Sequence, residues 1–135
     1  MPDYLSLARR VLQAQPFSML LGAEVTGFEP GSAELRIPIS DDLKQQHGFV
    51  HGGVISYAAD NALTFAGGSV LGEKVVTSEY KINYLRPATG THLIARASVV
   101  HAGRTQAVCR CDVFAVTDEG ERLCAAAQGT IRRVD

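Results

Sequence analysis

The chain has 135 residues, 46% of them hydrophobic and 20% charged, with 13 basic and 14 acidic side chains for a net charge of −1. A chain of this size can bury a core without metal or disulfide staples, so a single domain over residues 1–135 is predicted. The balanced charge argues against nucleic acid or an anionic membrane as a partner, and no apolar run approaches the ~20 residues of a membrane span. Three cysteines without a CxxC spacing and a start without a signal-peptide core predict reduced thiols and a cytoplasmic location.

Residues 3–15 place Tyr4, Ala8, Val11 and Leu12 at helical spacing with Arg9, Arg10 and Gln13 between them, and Pro16 is expected to end that helix. A hydrophobic connector follows over 17–22. Residues 23–29 and 32–39 read as strands joined by a tight Pro30-Gly31 turn. In the second strand Ala33, Leu35, Ile37 and Ile39 alternate with Glu34, Arg36 and Pro38, so one face is buried. A polar loop over 40–46 leads into His47-Gly48-Phe49-Val50-His51-Gly52-Gly53 and a long proline-free helix over 54–71. Gly72 suits its C-terminus. Strands then follow over 75–85, 91–101, 104–117 and 122–133, separated by Arg86-Pro87-Ala88, a two-residue Ala102-Gly103 turn and a turn at 118–120. The even spacing predicts a meander. The fold class is α+β: one curved antiparallel sheet around one long central helix, with a short N-terminal helix.

On a wheel of about 100° per residue, Gly53, Ser56, Tyr57, Thr64 and Gly67 fall within about 60° of Asp60. Ile55, Ala58, Ala62, Phe65 and Ala66 lie opposite. A largely alanine face lets a sheet approach closely, while the other face is a narrow polar stripe around one carboxylate. The helix start after Gly52-Gly53 offers unpaired backbone N–H groups suited to developing negative charge. Asp60 is either a plain helix acid or a reactive carboxylate, and the two glycines also serve to turn the chain. His47 and His51 stand four apart, but the intervening glycines disfavour an ordered helix across both and no third ligand follows. No metal and no cofactor are predicted; His51 is expected to shape the turn or to hydrogen-bond the substrate region. Cys109 and Cys111, two apart in a strand, read as small buried apolar groups.

The runs Pro16-Phe17 with Leu21-Gly22, Pro30-Gly31-Ser32-Ala33, His47-Gly48 with His51-Gly52-Gly53, Asp60, and Tyr84-Leu85-Arg86-Pro87-Ala88 together resemble the hotdog-fold acyl-CoA thioesterases, above all the phenylacetate-degradation type. The resemblance covers nearly the whole chain. It implies an acyl-CoA substrate and a homodimer or dimer of dimers with sites shared between chains. It implies Asp60 as catalytic carboxylate, either general base or nucleophile, and Gly52 as the N–H that polarises the thioester carbonyl. Gln45 matches a side chain beside the thioester or the attacking water. Thr64 and Thr77 match hydroxyls from two different branches of the family.

Arginine is the usual partner of coenzyme A phosphates, which makes Arg86 and Arg104 candidates. Tyr57, Leu63 and the Phe49-Val50 loop are candidates for an acyl pocket of medium or aromatic size, with Gly53 beside them. Hotdog domains also serve as non-catalytic acyl-CoA-binding modules and as dehydratases on acyl thioesters. The retained acid and the motif around it favour the hydrolase.

Overall fold

The computed structural model describes residues 3–135. Asp3 caps α1 (Tyr4–Gln13) by accepting from the Ser6 N–H at 3.1 Å. The stretch predicted as a connector over 17–22 is instead mostly a second helix, α2 (Pro16–Leu21), with Pro16 in its first turn, where proline lacks no needed donor. Gly22 closes α2 in the left-handed conformation at φ 73°. Strands β1 (Glu24–Glu29) and β2 (Ser32–Pro38) form the expected hairpin, and a single 3₁₀ turn, Asp41–Leu43, lies in the loop beyond. The central helix α3 (Gly52–Leu71) starts two residues earlier than predicted because His51 caps it. Then come β3 (Val75–Tyr84), β4 (His92–Ala102), β5 (Gln106–Thr117) and β6 (Gly120–Arg133). Ala102 belongs to β4, so the β4–β5 turn is Gly103-Arg104-Thr105 rather than Ala102-Gly103.

All pairings are antiparallel, in the order β1-β2-β4-β5-β6-β3. The predicted meander therefore holds only for β4–β6. The long α3 carries the chain from β2 across to the far edge, so β3 pairs with β6, and β4 returns to β2. The sheet curves around α3, which touches all six strands.

Small residues set the spacing between helix and sheet. Ala58, Ala59, Ala62 and Ala66 of α3 are buried against inward side chains that include Ala95, Ala97, Ala107, Ala115, Ala125 and Ala127. Cys109, Cys111 and Cys124 are free thiols in this inner layer. Burial pushes their pKa values up to about 11, 12 and 11, so they serve as volume and not as nucleophiles. On the outer face Arg96 joins Glu34 of β2 to Glu121 of β6 at 2.7 Å each and lies 5.2 Å from the Phe114 ring centroid.

Gly67 shows how far the wrapping goes. The wheel puts it in the polar stripe, yet it is buried, and a Cβ there would sit 2.6 Å from Ile131 Cβ. The stripe is narrower than the sequence predicts because the sheet covers that flank too. Gly67→Ala should therefore destabilise the protein by about 1–3 kcal/mol through overpacking, despite a helix-propensity gain of about 0.5–1 kcal/mol. At Gly68 a Cβ meets only Val75 Cγ2 at 3.5 Å, so Gly68→Ala should hold or raise stability. Urea melts of the two variants check this; equal stability would place Gly67 away from the sheet.

Candidate active site

The polar stripe of α3 faces edge strand β3, which runs alongside it in the opposite direction. Tyr84 lies over Gly52, Tyr80 bonds Ser56, Thr77 meets Asp60 and Thr64, and Val75 neighbours Gly68. Strict alternation along β3 could not aim both Thr77 and Tyr80 at the helix. A β-bulge solves this: Thr77 pairs with Ile131 and Glu79 with Thr130, leaving Ser78 as the extra residue. The inward phase then shifts from Val75 and Thr77 to Tyr80, Ile82 and Tyr84.

Thr77 Oγ1 donates to Asp60 Oδ1 at 2.6 Å. Thr64 Oγ1 donates to the Asp60 carbonyl at 2.9 Å and lies 3.0 Å from Thr77 Oγ1. Both predicted threonines are thus brought to Asp60, but only Thr77 holds the carboxylate. The other carboxylate oxygen has no hydrogen-bond partner among the described residues.

At the start of α3, His51 Nδ1 accepts from the Gly53 N–H at 2.9 Å, so this ring nitrogen is unprotonated and acts as the helix cap. The Gly53 N–H is thereby already used within the chain. The Gly52 N–H, one residue earlier, has no partner among the described residues. Tyr84 donates its hydroxyl to the Gly52 carbonyl at 3.1 Å, a contact for which the sequence reading assigned no role.

Loop bonds hold this helix start in place. Val50 N–H donates to Ala88 O at 3.0 Å and His51 N–H to Leu43 O at 2.8 Å. Gln45 Oε1 accepts from the His47 and Phe49 N–H groups at 2.6 and 3.3 Å, which leaves its amide NH₂ as the outward donor.

The predicted acyl-pocket residues fare differently. Val50 is buried, and Leu63, at 0% exposure, packs into the core where the sheet wraps past its side of α3. Both side chains are enclosed within the protomer. Tyr57 donates to Ser18 Oγ at 2.6 Å and accepts from Asn61 Nδ2 at 3.0 Å, within a network that includes Gln15. It fastens α2 to α3, with Phe17 packed edge-on against its ring. Sequence spacing alone did not reveal this network, because Gln15 and Ser18 lie some forty residues from their partners.

Arg86 and Arg104 are both exposed but far apart. Arg86 follows Leu85, whose N–H donates to Cys124 O, while Arg104 lies in the turn where Thr105 O accepts from Arg133. The two contacts stand at opposite ends of β6, roughly 25–30 Å apart at ~3.3 Å per residue. They do not meet at one phosphate within a protomer. Among the described residues, no three His, Cys, Asp or Glu side chains converge as a metal shell requires. No helix there is long and apolar enough to cross a membrane.

The thioesterase superfamily pattern matches residues 47–124, from the glycine-rich turn through α3 to β6. The chain belongs to the thioesterase superfamily, and its fold is the hotdog fold. Its chemical class is that of a thioester hydrolase. A thioesterase family protein from Silicibacter pomeroyi is 36% identical, with 98% of each chain covered and a TM-score of 0.92. The 1,4-dihydroxy-2-naphthoyl-CoA hydrolase of Listeria monocytogenes is 27% identical over 82% of this chain and 89% of that protein. The E. coli PaaI protein from the phenylacetic acid degradation operon is 24% identical, covers 95% of this chain and 91% of its own, and superposes with a TM-score of 0.83; this likeness speaks to the fold.

The Thr77 bond generates a ranked prediction. A hydrogen bond to a charged group contributes about 1.5–3 kcal/mol, so Thr77→Val should lower kcat for thiol release about tenfold or more. Thr64→Val should cost less, since Thr64 reaches the carboxylate only through Thr77. The reverse ranking would break the link between the Thr77 bond and turnover.

Proposed function

We propose that the protein hydrolyses an acyl-CoA thioester to free acid and coenzyme A. The observation that carries this reading is the Asp60 carboxylate, held by Thr77 through one oxygen only, on a helix whose first N–H is unpaired. Asp60 acts as general base on water or as nucleophile. As base, Asp60 takes a proton from water while the water oxygen bonds to the carbonyl carbon; the C–S bond then breaks and that proton passes to the leaving coenzyme A thiolate. As nucleophile, Asp60 forms a mixed anhydride as the C–S bond breaks, and water then cleaves the anhydride to free acid and the restored carboxylate, supplying the proton for the thiolate. The Gly52 N–H polarises the carbonyl; loss of one such donor typically costs about 3–4 kcal/mol of transition-state stabilisation. The Gln45 NH₂ group is the further donor at the thioester or the attacking water. The Listeria relative is named for an aromatic acyl-CoA, which supports a medium or aromatic acyl group. Arg86 stands at the Gly52 end, two residues past Tyr84, and suits a coenzyme A phosphate there; Arg104 would meet a different part of the ligand.

Gly52 and Asp60 cannot serve one carbonyl from the same helix. Eight residues at 1.5 Å rise separate them by about 12 Å. Two α3 helices antiparallel about a two-fold axis would bring each Asp60 to the other chain's Gly52. The ten-residue edge strand β3, with Val76 and Tyr84 exposed on it and Leu85 exposed just beyond its end, supports a partner on this side. The assembly is then a homodimer or a dimer of dimers with shared sites.

Asp60→Asn should reduce kcat at least a hundredfold in a thiol-release assay across a panel of acyl-CoAs while leaving binding largely intact. A loss of threefold or less removes Asp60 from the chemistry. Sharing is tested by co-expressing Asp60→Asn chains with Gln45→Ala chains, each nearly inactive alone. Random pairing should restore roughly a quarter of wild-type activity, because a mixed pair has one site with both lesions and one with none. Sites built within single chains would show no rescue.

A further inference from the structure

β3 is an edge strand that pairs with β6 alone, so one ladder and its side-chain bonds to α3 hold it in place. The Ser78 bulge loosens that ladder where the strand passes Asp60, because the extra residue has no partner across. Thr77 lies just before the bulge and Tyr80 just after it. Side chains alternate faces along a strand, so both can point at α3 only while the extra residue stays between them. A bulge displaced to either side would turn one of the two outward.

The strand is anchored on the far side of the bulge by Tyr80. Its hydroxyl is hydrogen-bonded to Ser56 Oγ, on α3 one turn before Asp60, about 6 Å of rise away. Its ring is half-buried and packs against the core. Across the ladder, Gly129 of β6 is the residue opposite Tyr80, and a Cβ there would lie 2.5 Å from both Tyr80 Cβ and Glu79 O. The bare glycine lets the strand beyond the bulge settle close to β6 with the Tyr80 side chain turned inward. Thr77, three residues earlier, donates to Asp60 Oδ1 at 2.6 Å. Tyr80 and Thr77 thus grip α3 on successive turns, at Ser56 and at Asp60, with the bulge between the two grips.

We infer that Tyr80 is a positioning residue for the Asp60 carboxylate: bonded to Ser56 and seated on Gly129, it fixes β3 just past the bulge so that Thr77 keeps its bond to Asp60. Its hydroxyl is engaged by Ser56, and it acts through the strand and not on the thioester. The consequence for turnover rests on the thioesterase reading; the consequence for the Thr77 side chain rests on the geometry alone.

The test uses Tyr80→Phe and Ser56→Ala, which each remove one half of the bond while keeping the ring and the helix. Each should lower kcat for thiol release about two- to tenfold, the worth of one neutral hydrogen bond, with KM within about twofold of wild type. In a Thr77→Val background Tyr80→Phe should cost less than about a further 1.5-fold, since Tyr80 works through a bond already lost. Losses that multiply in full, a rise in KM alone, or no loss in either single variant overturn the proposal. A second readout needs no turnover. Three-bond NMR couplings from Thr77 Cγ2 to the backbone should report one staggered rotamer in the wild type and rotamer averaging in Tyr80→Phe. Unchanged couplings overturn the positioning role even where kcat falls. Averaged couplings in a protein that releases thiol from no acyl-CoA would support the positioning role while removing the thioesterase reading.

Discussion

Close contact between one helix and the sheet around it is the constraint on which the rest of this molecule depends. Alanines on α3 meet alanines and cysteines on the strands, and at Gly67 even a methyl group would collide with Ile131. Small side chains bury little area each, so along this contact they contribute through dense packing, while Leu35, Ile37, Leu93 and Ile131 supply the larger buried surfaces. The three cysteines belong to the same economy of volume. Their raised pKa values follow from that burial and keep them out of the chemistry.

Wrapping has a second consequence. A sheet that curves around a helix but does not close must leave a seam, and the polar residues of α3 gather there. At the seam a carboxylate can be ordered without being sealed from water. Thr77 orders Asp60, and Thr77 is itself aimed by the Ser78 bulge. The same seam, partly covered by α1, holds an apolar cleft of about 310 Å³ between Val11, Phe28 and Val75. The Asp60 carboxylate and the apolar cleft thus share one structural origin: the two sheet edges stand apart.

At the other end of α3 the chain manages backbone donors with comparable economy. His51 uses a ring nitrogen to occupy the Gly53 N–H, and the Gln45 carbonyl oxygen ties the preceding turn. These bonds leave the Gly52 N–H as the open donor at a positive helix end. A loop held by Val50 to Ala88 and His51 to Leu43 keeps that donor fixed in advance of any ligand. Pre-positioned donors stabilise developing charge without reorganising during reaction.

Local pattern in the sequence determined a good deal: the long helix, the alternating strands, the glycine-rich start and the lone acid on a polar stripe all rest on periodicities of 3.6 and 2. It also placed Thr64 one turn from Asp60. What it could not determine depends on residues distant along the chain. Strand order required knowing that α3 carries β3 to the far edge, and the side of Gly67 required knowing that Ile131 reaches it. The approach of Thr77 to Asp60 depended on a one-residue bulge, visible in sequence only as a phase change from Val75 and Thr77 to Tyr80 and Ile82. Tyr57 and Leu63 looked equally available on a helical wheel, yet one is tied to Ser18 and the other is buried. A wheel describes one helix alone, whereas which of its faces is open is decided by how far around it the sheet extends.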